Sequence, residues 1–331
     1  MEQPSRVGFI GLGNVGAKLA GSLLRSGLDV TILDLDPESE APLLAAGARK
    51  GETPRAVAER VDLLITCLPN PAASAEVMEG AHGALFGFSP GKIWAEMSTT
   101  DSSEIRRLGE KVRKLGAWPA DCPVSGGCHR AATGNIAIFA GCERPVFEML
   151  LPVLSEMGHE ILHTGGLGSA SILKVVTNYL ATANLVALSE ALVTSQQAGM
   201  DLSTAYEAIR ISSGNSFVHE TESQVILNGS RDINFTMDLV LKDISLFQSL
   251  ADQAELPLEI SPLLIRIFQD AAQRFGARTW SSDVIRRLEE ATGERVLAPG
   301  FPSQMVDDEP KSPGHEVVPR GRKGSVDSAS S

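Results

Sequence analysis

The sequence predicts a doubly wound α/β domain over residues 1–167 followed by an all-α domain over 168–297, joined by a long interdomain helix. Three observations carry this reading. Short apolar runs alternate with helical patterns through the first half, as parallel β/α units do. Strand signals stop after Gly168, and few Gly or Pro residues interrupt the helical periodicity beyond it. A length of 331 residues is enough for two separate cores.

In the first domain, strands are expected over 6–11, 29–34, 62–68, 92–97, 118–121, 136–140 and 160–164. Helices are expected between them over 14–26, 37–46, 53–60, 72–78, 101–115 and 144–157. Asp101 and Ser102 offer capping oxygens ahead of Glu104. The interdomain helix runs over 169–198, about eight turns at the helical rise. Further helices follow over 202–211, 216–227, 238–254, 262–275 and 282–292. Residues 298–331 are rich in Pro, Ser, Gly and charge and poor in large apolar side chains, so a disordered tail is expected there.

Composition narrows the function classes. The net charge is −12, and no Lys/Arg run offers nucleic acid a landing site. Arg106-Arg107 and Arg286-Arg287 have acidic neighbours and read as solvated helix faces. Cys67, Cys122, Cys128 and Cys142 show no Cys-x-x-Cys spacing and read as reduced thiols of a cytoplasmic protein. Cys128-His129 has no second ligand cluster, so no metal is expected. Residues 1–6 are polar and lead straight into a strand, without the pattern of a secretory signal. The apolar stretch 172–193 carries Lys174, Asn178, Asn184 and Glu190, which favours a buried helix over a membrane span.

The strongest local motif is Gly11-Leu12-Gly13-Asn14-Val15-Gly16, a G-x-G-x-x-G placed directly after a strand and at a helix start. Gly11 permits a tight turn, Gly13 leaves room for a pyrophosphate, and Gly16 lets helix and strand pack closely. Helix N–H groups then face the phosphates. A ligand-free glycine turn is the alternative. Asp34 ends the second strand, where a carboxylate accepts from a ribose 2′-hydroxyl and repels a 2′-phosphate. NAD is therefore expected over NADP in a Rossmann-type site. A capping role for Asp34 is the alternative, although Asp36 is better placed before Pro37.

Lys174 and Asn178 lie one helical turn apart on one face, after a Gly-rich turn and among Ile172, Leu173, Val175 and Val176. A lysine held among apolar residues loses hydration, which lowers its pKa and suits it to proton transfer. A snorkelling surface lysine is the bland alternative. Ser125-Gly126-Gly127 exposes a hydroxyl and uncrowded backbone N–H groups, a nest suited to a carboxylate, or else a plain turn.

With these motifs in order, residues 6–293 resemble the β-hydroxyacid dehydrogenase family. Residues 8–16 match its cofactor signature, and Cys67-Leu68-Pro69-Asn70 its cofactor-touching strand end. Met97-Ser98-Thr99-Thr100 is similar to its turn near the nicotinamide ribose, and residues 121–127 to its substrate-binding signature. Leu241-Lys242-Asp243 is similar to its second-domain Lys-Asp motif. The resemblance implies NAD(P)-dependent hydride transfer between nicotinamide and a small 3-hydroxy acid or its semialdehyde. It implies Lys174 as general acid/base and Asn178 as its catalytic companion. Ser125, Gly126, Gly127 and Lys242 would bind substrate. Gly11 to Gly16, Asp34, Leu68, Pro69, Thr99 and Lys242 would bind cofactor. Lys242 would close the cleft over the cofactor, with a surface lysine paired to Asp243 as the alternative. Phe235 is an apolar wall or a core residue. A homodimer or homotetramer is implied, its second copy covering part of the interdomain helix.

Two departures from the family pattern stand out. Ala170 and Thr177 replace a usual glycine and asparagine beside the catalytic pair, and Cys128-His129-Arg130 replaces small or apolar residues. His129 or Arg130 reads a polar or anionic group on the substrate, or the segment is a solvated loop. The other functions in view are a non-catalytic cofactor-binding scaffold and an imine-reductase-like enzyme. Retention of Lys174, Asn178 and Ser125 together speaks against the scaffold, and Lys174 against the imine reductase.

Overall fold

The computed structural model describes residues 3–321. It divides into two compact units, one holding residues 3–174 and 307–321 and the other 175–306.

The first unit is built on one sheet. Its strands are β1 (Arg6–Ile10), β2 (Asp29–Leu33), β3 (Arg49–Lys50), β4 (Leu63–Thr66), β5 (Ile93–Glu96), β6 (Trp118–Asp121), β7 (Val124–Ser125), β8 (Ile136–Gly141), β9 (Gly158–Gly165) and β10 (His315–Glu316). Their order is β10-β9-β8-β6-β5-β4-β1-β2-β3, with β7 paired to β8. Strands β1 to β6 are parallel in the 3-2-1-4-5-6 order. The order reverses between β1 and β4, where α/β sheets bind ligands at the carboxyl ends of their strands. Beyond β6 the direction flips, since β8 pairs antiparallel to β6. The chain turns back there through β7 and a two-turn helix instead of a full crossover helix, a departure from uniform β/α alternation.

The helices of this unit are α1 (Gly16–Arg25), α2 (Pro37–Ala45), α3 (Pro54–Arg60), α4 (Pro71–Glu79), α5 (Ser102–Lys114), α6 (Gly127–Thr133) and α7 (Arg144–Met157). Three of them start alike. Asp36, Thr53 and Asn70 each accept a backbone N–H from the first turn, and a proline occupies N1. Asp101 caps α5 through Ser103 and Glu104. Residue alternation splits the core between the two sheet faces. Val7, Phe9, Ile32 and Ile65 pack with Leu19 and Phe147 on one side; Ile10, Leu64 and Trp94 pack with Val57 and Leu108 on the other.

Helix α8 (Ser169–Gln197) leads into the second unit, which holds α9 (Leu202–Arg210), α10 (Phe217–Asn228), α11 (Met237–Gln253), α12 (Ile260–Phe275) and α13 (Arg286–Thr292). The stretch expected as one helix over 282–292 opens as a 3₁₀ segment, Ser281–Ile285. Leu185, Leu188, Leu192, Ile226, Ile244 and Phe268 form the core of this unit. Helix α8 is long and apolar enough to cross a membrane, and 33 % of its most apolar stretch is buried. The expectation of a buried helix is thus met only in part, with Leu173 and Leu180 exposed.

The expectation of a disordered tail is corrected over residues 298–321; the remainder, 322–331, lies outside the described residues. Ala298 and Phe301 pack against the second unit's core. From Asp307 onward the chain belongs to the first unit, where β10 extends the sheet beside β9. Low apolar content is a measure of what a segment can bury by itself. Here the order comes from an existing strand edge with unpaired backbone groups and from charged partners on the body.

Candidate active site

The register of the sheet aligns the ends of the motif-bearing strands. Ile10 pairs with Leu33 and Thr66, Thr66 with Glu96, and Glu96 with Asp121. The next residues are Asp34, Gly11, Cys67, Met97 and Cys122, so five loops leave one edge of the sheet.

The glycine turn is shaped by close approach. Gly11 has φ +97°, and a Cβ there would lie 2.3 Å from the Cys67 carbonyl oxygen. A Cβ on Gly16 would lie 2.1 Å from the Gly11 oxygen, whereas one on Gly13 would meet nothing within 4 Å. Gly11 and Gly16 are therefore required by the fold, and the space beside Gly13 is open to a ligand. Helix α1 has no side-chain cap at Val15 and no acidic residue in its first turn. Its N-terminal end, with Asn14 exposed beside it, suits an anion. Asp34 accepts from the Leu12 N–H at 2.5 Å and the Asp36 N–H at 2.9 Å, which ties the second strand end to the turn. Asp36 performs the helix cap, as its position before Pro37 suggests. A glycine turn with open space, an uncapped helix end and a carboxylate at the ribose position fit a dinucleotide.

Sequence reasoning did not single out Glu96. It is fully buried, and its carboxyl accepts from Ser98 through both N–H and hydroxyl. The Ser98 hydroxyl oxygen in turn accepts the Leu68 N–H at 2.6 Å. Burial pushes the Glu96 carboxyl up despite these bonds. The pair fixes the loop carrying Leu68 and Pro69 against the loop carrying Thr99. An acidic residue closing the apolar run Ile93-Trp94-Ala95 was the available signal.

Gly126 (φ +127°) and Gly127 (φ +86°) make the turn after Ser125. His129 and Arg130, which are among the residues that depart from the family pattern, fold back over it. A Cβ on Gly126 would lie 3.3 Å from Arg130 Cδ, and one on Gly127 would lie 2.9 Å from His129 Cε1. Burial, with Arg130 nearby, holds the His129 imidazole below its ordinary range. The segment is therefore an ordered helix start, α6, and not a solvated loop.

Asp121 is the second residue whose part emerges only in three dimensions. Fully buried, it accepts from the Gly168 N–H at 2.7 Å, the Ser171 N–H at 2.7 Å and the Ser171 hydroxyl at 2.9 Å. A strand end thus caps the start of α8 across a separation of some fifty residues. Burial pushes its carboxyl above the ordinary range even with these donors. One turn on, Lys174 is 8 % exposed. Its neighbour Ala170 is fully buried, so the methyl that replaces the usual glycine is packed.

Within the second unit, Asn178 donates to Asp243 at 2.5 Å, and Lys242 lies 2.9 Å from the same carboxylate. Asp243 is 2 % exposed, so this buried carboxylate orients both side chains. The pairing of Lys242 with Asp243 is the alternative left open by the sequence, in a mostly buried setting. Phe235 packs against the core cluster of this unit.

Comparison with known proteins agrees with this geometry. Residues 6–165 match the family model for the NAD-binding domain of 6-phosphogluconate dehydrogenase. Residues 168–288 match that for the NAD-binding domain of NADP-dependent 3-hydroxyisobutyrate dehydrogenase. The chain is 34 % identical over 297 residues to 2-(hydroxymethyl)glutarate dehydrogenase of Eubacterium barkeri, covering 89 % of this chain and 99 % of that one. It is 30 % identical to mitochondrial 3-hydroxyisobutyrate dehydrogenase of Rattus norvegicus, over 88 % of this chain and 89 % of the relative. A solved structure of 3-hydroxyisobutyrate dehydrogenase from Salmonella typhimurium superposes with a TM-score of 0.79 at 28 % identity, covering 85 % of this chain and 99 % of that one.

Proposed function

The chain belongs to the β-hydroxyacid dehydrogenase family, and we propose that it interconverts a small 3-hydroxy acid and its semialdehyde with NAD, using Lys174 as general acid/base. The observation that carries this is the Asp121 clamp. It anchors the start of α8, and with it Lys174, to a strand end in register with those that open the nucleotide loops.

Nicotinamide, when bound, donates or accepts the hydride. The residues of the chain do the rest. Gly11 to Gly16 and the α1 N-terminus hold the pyrophosphate. The Asp34 carboxylate accepts from a ribose hydroxyl and repels a 2′-phosphate, which favours NAD over NADP. Leu68, Pro69 and Thr99 line the nicotinamide ribose. Ser125, Gly126 and Gly127 donate to the substrate carboxylate. Lys174 gives its proton to the carbonyl oxygen in reduction and removes it from the hydroxyl in oxidation. Asn178, held by Asp243 through one of its two N–H donors, uses the other to orient the substrate oxygen. Lys242 serves cofactor and substrate from the same carboxylate. Arg130, lying over Gly126, suits a substrate with a second anionic group. The exposed apolar face of α8 supports a homodimer or homotetramer, and the thiol pattern supports a cytoplasmic location.

The test is reduced-nicotinamide absorbance with 3-hydroxyisobutyrate, 2-(hydroxymethyl)glutarate and L-threonate, each with NAD and with NADP. Lys174→Ala is expected to lower kcat by about 10²–10⁴-fold, the range for a lost general acid/base. A variant as active as wild type rejects the role.

A further inference from the structure

The chain returns from the second unit to grip the first. Past both family-model matches, residues 307–317 run along the side of the sheet that carries α6 and β9. Asp307 Oδ2 accepts from the Thr133 hydroxyl and from Asn135 Nδ2, the latter at 2.8 Å. Asn135 Nδ2 also donates to the Glu309 carbonyl at 3.0 Å. Glu309 lies 3.7 Å from the Arg130 guanidinium. Lys311 donates to the Glu156 carbonyl and pairs with its carboxylate. Gly314 is seated so closely that a Cβ would lie 2.4 Å from the Gly158 oxygen and 2.6 Å from Ser155 Cα. Beyond it, β10 pairs with Glu160 and Ile161, and Glu316 takes a two-bond grip on Arg144 at 2.6 and 2.9 Å.

The grip falls on the far end of α6. Gly134 N–H and Asn135 N–H converge on the Arg130 carbonyl, which closes that helix, and the one Thr133 hydroxyl proton goes to Asp307. Arg130 and His129 sit over Gly126 and Gly127 at its other end. A seven-residue helix has little stability of its own and takes its position from its contacts. Burial pushes the Asp307 carboxyl up, but the Thr133 and Asn135 hydrogen bonds outweigh it and hold it below the usual range.

We infer that residues 307–317 form a strap that holds α6 and thereby sets the Ser125-Gly126-Gly127 turn for substrate, with Asp307 as the chief positioning residue. The inference rests on the reading of that turn as the seat of the substrate carboxylate.

The test uses the full chain with Asp307→Ala, Asp307→Asn and Gly314→Val. Both side-chain bonds to Asp307 end on one oxygen, so the amide carbonyl of Asp307→Asn keeps them and gives up only the long Glu309 N–H contact of 3.4 Å on the other oxygen. Gly314→Val dislodges the strand without touching a charge. Hydrogen exchange without ligand is expected to quicken about tenfold across 127–135 in Asp307→Ala and Gly314→Val, and to stay put in Asp307→Asn and at residues 12–17. The KM for 3-hydroxyisobutyrate should rise about three- to tenfold in the same two variants, a modest share of what hydrogen bonds to a charged group are worth. The KM for NAD should stay within about twofold, which general loosening of the fold would not allow. Unchanged exchange at 127–135 overturns the inference. Faster exchange with unchanged substrate KM overturns it too, and Ser125→Ala then locates the fault. If Ser125→Ala raises KM, only the strap's role fails; if it does not, the carboxylate seat fails first.

Discussion

Replacing Asp121 with alanine tests how Lys174 is positioned. The change removes the acceptor of two backbone N–H groups and one hydroxyl at 2.7 to 2.9 Å, in a place with no exposure. Each orphaned buried donor costs about 1–3 kcal/mol. The Ser171 hydroxyl can rotate towards another acceptor, so the two N–H groups dominate. Loss of the carboxylate also returns its own desolvation cost, which is real because burial holds that carboxyl above its ordinary range. The balance is a destabilisation of about 3 kcal/mol for the first unit. Asp121→Asn keeps one oxygen but points an NH₂ at one of the two N–H groups, so about 1–2 kcal/mol is expected. Urea unfolding can follow Trp94 and Trp118, both in this unit. Because the clamp holds the turn that presents Lys174, kcat of the folded Asp121→Ala protein should fall about 10²-fold, as for a displacement of about 1 Å. A stability change below about 1 kcal/mol together with an unchanged kcat would refute the clamp.

Three further outcomes follow from the geometry. Gly11→Ala forces a Cβ to 2.3 Å from the Cys67 carbonyl at φ +97°, so a loss of about 2–4 kcal/mol is expected in thermal unfolding, with weaker binding of NAD by calorimetry. Asp34→Ser removes the charge that opposes a 2′-phosphate, and the ratio of kcat/KM for NADP over NAD should rise about tenfold or more. Burial pushes the Glu222 carboxyl on α10 up to about 7 from 4.5. The folded state therefore binds this proton more tightly than the unfolded chain. The cost of charging it is absent below pH 4.5, grows as pH rises towards 7 and is complete above 7. Glu222→Gln should accordingly raise Tm at pH 8 and leave it unchanged at pH 4.5; equal gains at both values would dismiss the assignment.

Some of the site was legible in the chain because it is local. Gly11, Gly13 and Gly16 sit at fixed offsets in one turn, and Lys174 and Asn178 at one helical spacing. The seven strands expected in the first half all form, because alternation and apolar runs reflect burial at each residue. What escaped is non-local. Strands β3, β7 and β10 are two residues long and too short for periodicity. Helix α6 begins with glycines that read as a turn. The reversal at β6 and β8 depends on pairing between distant segments.

The sequence by itself determined the two-unit α/β and all-α plan, the nucleotide turn and the i, i+4 placement of Lys174 and Asn178. These follow from short-range geometry and the burial preference of each residue. Tertiary structure decided the partners. Asp121 became the cap of a helix some fifty residues away, Glu96 the support of the Leu68 loop, and Asp243 the orienter of both Asn178 and Lys242. Residues 307–317 found order on an edge formed by other parts of the chain. In each case a buried or edge polar group required a partner, and only the packed fold decided which group stood within reach.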